Sequence, residues 1–233
     1  MIDKLSVFLP AYNEAGNIES VSLSVVKVLK ITAREWELII INDGSADSTG
    51  EIADKLARKE KRIRVIHHRP NRGYGGALKT GYSQARYPWV AFMDSDGQFD
   101  FSEISKFIDK QKQSNADLIC GIREHRADSV LRRLFTLVWS KILPRLIFNL
   151  RVTDYSCGFK LIRKSVFDRV QPLVGEEKVT QIEMLVKAQR AGFKFAEVTV
   201  NHYPRKIGHQ TGADLKVILK SIFDLMKLWS QIH

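Results

Sequence analysis

Tyr87-Pro88-Trp89-Val90-Ala91-Phe92-Met93-Asp94-Ser95-Asp96-Gly97-Gln98 is the stretch whose reading decides the fold. An apolar run rich in strand formers ends abruptly in two carboxylates and an amide, which is how a buried strand delivers polar groups to the edge of an α/β sheet. Asp94 and Asp96 flank one residue, so in extended geometry they point to the same side, and Gln98 continues that side with a neutral oxygen. Hard oxygen donors at this spacing suit Mg²⁺ or Mn²⁺ holding a diphosphate. The competing account of an isolated Asp-x-Asp is a turn whose carboxylates bond their own backbone.

Before this strand the chain alternates strands with helices. Residues 4–9 form an apolar strand that Pro10 is expected to stop. Residues 17–30 follow with Ile18, Val21, Val25, Val28 and Leu29 at helical spacing. Residues 36–41 make a second buried strand ending in Asn42, Asp43, Gly44 and Ser45, and Ser48 with Glu51 reads as a capping box for the next helix. Residues 62–66 make a third strand. The loop Asn71-Arg72-Gly73-Tyr74-Gly75-Gly76 then opens a helix that runs to Ala85. Gly73-x-Gly75 lacks the third glycine of a dinucleotide fingerprint and follows the third strand rather than the first, so a tight turn is its better account. The alternation implies a mostly parallel sheet with helices on its faces.

After Gln98, residues 101–113 read as a helix and 116–120 as a strand. Residues 129–150 combine apolar positions and Trp139 with Arg132, Arg133, Lys141 and Arg145, a helix on the sheet or a basic face lying on a membrane, with Pro144 kinking or splitting it. Residues 152–163 carry Asp154, Ser156, Cys157 and Gly158 before another strand. Residues 180–191 are a helix beginning with Gln181 and Glu183, and 194–200 a last strand. Residues 1–212 are expected to form one domain. Residues 213–233 form an amphipathic tail that could be a dimer seam, a core helix or a membrane-surface helix.

At 233 residues with 44% hydrophobic and 27% charged residues the composition is that of a globular domain, and disorder is excluded. A net charge of +11 favours an anionic partner: nucleic acid, an anionic membrane surface or phosphorylated substrates. Cys120 and Cys157 lack metal-finger spacing and disulfide density, so reduced buried thiols are expected. The N-terminus reaches Pro10, Asn13 and Glu14 too early for a signal peptide, and charges interrupt every long apolar run, so the expectation is a soluble or peripheral protein.

Four separated signatures coincide in order: Pro10-Ala11-Tyr12-Asn13-Glu14; Asn42-Asp43-Gly44-Ser45; Asp94-Ser95-Asp96-Gly97-Gln98; and Gln181-Ile182-Glu183-Met184. Together they resemble family 2 glycosyltransferases of the GT-A fold, most of all the polyprenol-phosphate (dolichol-phosphate) mannose synthases and their bacterial and archaeal relatives. The resemblance runs over roughly residues 5–212. It implies that Pro10, Tyr12 and Glu14 line the nucleotide pocket, with the Gly73 loop beside them, and that Asp43 contacts base or ribose. Asp94, with Ser95 next to it, would lie near the donor ribose and sugar, and Asp96 and Gln98 would be the metal ligands. Arg123 and one of Arg132 and Arg133 would hold an acceptor phosphate, and Arg205 would lie near the diphosphate.

The implied activity is metal-dependent, inverting transfer of a hexose from a nucleotide diphosphate sugar, GDP- or UDP-linked, to a polyprenyl phosphate at the cytoplasmic membrane face. A polyprenyl monophosphate is already anionic and needs no base, so Asp154 and Glu183 could simply orient arginines or sugar. A sugar-hydroxyl acceptor would instead require one of them as base. A basic module binding nucleic acid is the non-enzymatic rival, disfavoured because the Lys and Arg residues are dispersed and no nucleic-acid motif appears. Whether a separate membrane protein receives the product stays open in the sequence, as does homodimer formation.

Overall fold

In the computed structural model the described residues are 1–124, 143–175, 179–205, 207 and 228–230. Seven strands form one sheet: β1 (Ile2–Ala11), β2 (Ala33–Asn42), β3 (Ile63–His67), β4 (Trp89–Met93), β5 (Leu118–Arg123), β6 (Phe159–Arg163) and β7 (Phe195–Val200). Their order across the sheet is β3-β2-β1-β4-β6-β5-β7. All run parallel except β6, which lies antiparallel between β4 and β5. The helices are α1 (Ile18–Thr32), α2 (Thr49–Lys59), α3 (Gly73–Gln84), α4 (Ile104–Ser114, entered through a 3₁₀ turn at Phe101–Glu103), α5 (Leu143–Phe148), α6 (Lys164–Arg169) and α7 (Val179–Arg190).

Because both sheet faces are covered, the central strands carry near-continuous apolar runs at residues 7–9, 38–41 and 90–93, and successive residues divide between two cores. Leu5, Val7 and Leu9 of β1 with Leu38 and Ile40 of β2 join α1, α2 and α4, whereas Phe8, Ile39 and Ile41 join α3, α6 and α7. In the second core Phe8 stacks on Phe92 with ring centroids 5.5 Å apart and meets Tyr82 edge-on at 4.9 Å. Gly81 of α3 lets the Phe8 ring approach, since a Cβ there would lie 2.2 Å from a ring carbon.

The order β2-β1-β4 makes β1 the point where the connections switch direction. The crevice beyond the carboxyl ends of β1 and β4 is therefore where an open α/β sheet takes its ligand.

Two local expectations fail for identifiable reasons. Pro10 does not stop β1, which pairs with β2 as far as Ala11. The Pro10 carbonyl faces Ser95, whose hydroxyl donates to it at 2.6 Å, so the proline nitrogen also faces the β4 side. The β1–β4 ladder has already ended there, at Phe8 and Phe92, and no donor is missed. Ser48 precedes α2 without a side-chain cap. Instead Asp47 accepts from the Thr49 amide at 3.0 Å, and the Thr49 hydroxyl accepts from the Glu14 amide at 2.8 Å, fastening the loop after β2 to the loop after β1.

Residues 125–142, with Arg132 and Arg133, lie outside the described residues, as do residues 213–227 of the tail, although 228–230 are helical. Among the described residues no helix is long and apolar enough to cross a membrane.

Gly81→Ala is expected to destabilise the fold by about 1–3 kcal/mol through overpacking, in spite of alanine's better helix propensity. Thermal unfolding measures it, and an unchanged or higher Tm would contradict the Phe8–Gly81 packing.

Candidate active site

The site assembles from strand ends. Beyond β1 the chain turns through Asn13, whose φ of +55° places its side chain to accept from the Ala46 amide at 2.8 Å. Glu14 is buried, whereas Tyr12 is exposed. Beyond β2, Gly44 takes a φ of +70° and packs against Asn71, so that the buried Asp43 meets the loop before α3. Its Oδ1 accepts from His68 Nδ1 at 2.6 Å and from the Arg72 amide at 2.9 Å, and Asn71 donates to its carbonyl. Gly73, with a φ of +73°, then starts α3. Asp43 thus shapes the loop and lines the crevice at once.

Beyond β4, Asp94 donates its amide to the Gly158 carbonyl at 3.0 Å, and its Oδ1 accepts from the Tyr74 hydroxyl at 2.9 Å. Asp96 Oδ1 accepts from the Gln98 amide at 3.1 Å across Gly97, which has a φ of +76°. Gln98 donates its side-chain nitrogen to the Tyr203 carbonyl at 2.9 Å, leaving Oε1 as the atom a cation could use. Burial first, and then the charge of Asp96, push the Asp94 carboxyl up to about 7, and burial likewise raises Asp96. Two carboxylates strained in this way, beside a neutral oxygen, are a donor set that a hard divalent cation relieves. Among the described residues no three His, Cys, Asp or Glu side chains converge as a metal cage. A cation on Asp96 and Gln98 would therefore complete its shell with ligand oxygens and water, as Mg²⁺ prefers.

Arg205 binds the edges of the crevice together. Its guanidinium donates to Glu14 Oε1 at 2.7 Å, lies 3.7 Å from Asp96 Oδ2 and donates from Nε to the Ile207 carbonyl at 2.8 Å. Burial raises the Glu14 carboxyl, and bonds from Asn17 and Arg205 oppose that rise.

Arg123, at the end of β5, faces the same crevice, close enough for its charge to stabilise the ionised forms of both Asp94 and Asp96. It is clamped bidentately by the buried Asp154, Nε to Oδ2 and Nη2 to Oδ1, each at 2.8 Å, and Nη2 also donates to Ser156. Glu183 is fully buried. Its Oε1 accepts from the Val174 amide at 3.1 Å and pairs with Lys187, and its Oε2 accepts from the Gly175 amide at 2.6 Å. Cys120 and Cys157 are free and buried, and burial pushes their thiols up to about 12 and about 11, which keeps them protonated.

The model of glycosyl transferase family 2 matches residues 6–171, which include the crevice residues from Pro10 to Lys160 but not Gln181, Glu183, Tyr203 or Arg205. The chain belongs to glycosyl transferase family 2. It is 33% identical to the glycosyltransferase AglD of Haloferax volcanii, over 98% of this chain and 36% of that protein. It is 31% identical to a dolichyl-phosphate beta-glucosyltransferase of Dictyostelium discoideum and 30% to one of Saccharomyces cerevisiae, each over 84% of this chain. The matched regions are 65% and 66% of those two proteins, so the chain spans between about a third and two thirds of the length of these curated relatives. Glucosyl-3-phosphoglycerate synthase of Mycobacterium tuberculosis, solved with Mn²⁺, UDP and phosphoglyceric acid, superposes with a TM-score of 0.73 over 97% of this chain and 78% of that one, at 19% identity. The likeness establishes the GT-A fold.

The structure therefore brings Pro10, Tyr12, Glu14, Asp43, Asp94, Ser95, Asp96, Gln98, Arg123 and Arg205 to one side of the sheet. Tyr74, Gly158 and Lys160 also belong there, though nothing in their local sequence marks them; only the fold brings them to Asp94.

In denaturant unfolding, Asp154→Ala is expected to cost about 3 kcal/mol or more, because it strands a largely buried guanidinium. Asp154→Ala combined with Arg123→Ala should cost less than the two separate losses added. Additive losses would contradict the clamp.

Proposed function

We propose that the protein transfers a glucosyl group from a nucleotide diphosphate sugar to a polyprenyl phosphate, with inversion at the anomeric carbon. The glycosyl donor and lipid phosphate fit the family and the names of the dolichyl-phosphate beta-glucosyltransferases it resembles. The observation that carries the choice of acceptor is the state of Asp154 and Glu183. A hydroxyl acceptor needs a carboxylate base, and both candidates spend their oxygens elsewhere, Asp154 on Arg123 and Glu183 on two backbone amides. A phosphate monoester has a second pKa of about 6 and arrives as its own nucleophile, so what it requires is an arginine held in position. Arg123 is that arginine, with one of Arg132 and Arg133 its expected companion.

In this reading the base and ribose lie along Tyr12, Glu14 and Asp43, Asp94 orients the donor sugar, and Arg205 faces the diphosphate. Asp96 and Gln98 would hold Mg²⁺ or Mn²⁺, which supplies positive charge to the leaving diphosphate. An oxygen of the lipid phosphate, aligned by Arg123, attacks the anomeric carbon as the bond to the diphosphate breaks, and no proton need move. The acceptor places the work at a membrane surface. The net charge of +11 suits an anionic leaflet, and the cytoplasmic face is where the donor would be met.

The test incubates purified protein with Mg²⁺ or Mn²⁺, short-chain polyprenyl phosphate and a panel of UDP- and GDP-linked glucose and mannose, following nucleotide release and glycolipid. Glycolipid is expected from one donor, abolished by chelation and lowered by about a hundredfold or more in Asp96→Ala. Turnover only with a saccharide acceptor would overturn the lipid-phosphate reading.

A further inference from the structure

Lys160 is a fully buried cation on β6, the one reversed strand, and the reaction above gives it no part. Its Nζ donates to the carbonyls of Tyr155 at 2.9 Å and Cys157 at 2.5 Å and to the side-chain oxygen of Gln181, three acceptors for the three protons of an ammonium. Gln181 in turn donates from Nε2 to the Tyr74 hydroxyl oxygen at 3.0 Å, and Tyr74 donates to Asp94 Oδ1 at 2.9 Å.

The chain has a direction set by chemistry alone. An ammonium can only donate, so Gln181 must turn its oxygen to Lys160 and its NH₂ to Tyr74. The Tyr74 oxygen, already accepting, has its hydrogen left for Asp94. Burial makes each of these bonds costly to lose and couples them into one unit. On the other side of the carboxylate, Gly158 leaves the space that Asp94 fills, since a Cβ there would lie 1.9 Å from Asp94 Oδ2. Asp94 is thus fixed from two directions, one at each carboxylate oxygen.

We propose that Lys160, Gln181 and Tyr74 form a one-way hydrogen-bond relay that positions Asp94 for the donor sugar, which assigns a role to the Gln181 of the Gln-x-Glu signature. The proposal rests on the donor site described above. None of the three residues touches substrate; all act through Asp94.

The decisive variant is Gln181→Glu, which keeps size and an acceptor for Lys160 but offers Tyr74 an oxygen in place of NH₂. The Tyr74 hydrogen then turns to residue 181 and away from Asp94. Gln181→Glu and Tyr74→Phe are each expected to weaken kcat/KM for the donor by roughly tenfold to a hundredfold, the worth of one bond to a charged group. The acceptor KM should stay close to that of the unaltered protein, while Tm falls by only a few degrees, since each variant loses one buried hydrogen bond. Because both changes cut the same bond, the double variant should be no worse than Tyr74→Phe. Losses that multiply in the double variant, or that fall equally on both substrates together with Tm, would overturn the relay. A crystal structure of the Gln181→Glu protein separates this from failure of the function itself. Even if no donor is used, the Tyr74–Asp94 contact of 2.9 Å should open beyond hydrogen-bond length, and its persistence would refute the proposal.

Discussion

A pair of carboxylates at the end of a buried strand is the constraint around which the rest of this structure is arranged. β4 carries Asp94 and Asp96 out of the apolar sheet interior, where burial and mutual repulsion oppose their ionised forms. Every neighbouring element answers that problem. α3 supplies Tyr74, the turn before β6 supplies the Gly158 notch, β5 supplies Arg123, and the segment after β7 supplies Arg205. Positive charge from Arg123 and Arg205 and a neutral amide oxygen at Gln98 make a pocket suited to a diphosphate and its cation. Such a pocket would be a liability in a purely structural sheet.

The reversed strand β6 has a particular part in this. By running antiparallel between β4 and β5 it brings the turn of residues 154–158 to the same sheet edge as the carboxyl ends of its neighbours. Asp154 can then clamp Arg123, while Gly158 and Lys160 reach Asp94 and Gln181. Arg123 and Asp94 are thus both set by one short turn, and in the proposed reaction that turn would position the two substrates relative to each other. Glu183 serves the same end at a distance, holding the backbone at Val174 and Gly175 against α7.

Much of this was legible in the sequence, and the failures are instructive. The strand that ends in Asp94-Ser95-Asp96 was readable because apolar run and carboxylates are contiguous, and the alternation of strands and helices gave the parallel sheet. Pro10 misled because local propensity says nothing about which neighbour a strand has at each residue, and the β4 ladder stops just short of it. The capping box at Ser48 lost to Asp47 and Thr49, which also had the loop after β1 to fasten. Asp154 carried two readings in sequence, base or orienter, and only its bidentate bond to Arg123, from 31 residues away, favours the second. The Gly73 loop was expected at the pocket, but the contact of its Tyr74 with Asp94 was not legible, and Lys160 was missed altogether because a lysine in an apolar strand has no local mark of what it will meet.

The donor site proposed above depends on a divalent cation that Asp96 and Gln98 would hold against a nucleotide diphosphate at the carboxyl ends of β1 and β4. A crystal structure with Mn²⁺ and UDP or GDP, located by anomalous scattering, tests it most directly. One strong manganese peak is expected in contact with an Asp96 oxygen, Gln98 Oε1 and diphosphate oxygens, with Arg205 turned to the diphosphate. Manganese bound elsewhere, or a nucleotide bound with Arg205 still bridging Glu14 and Asp96 and no metal between, would contradict it.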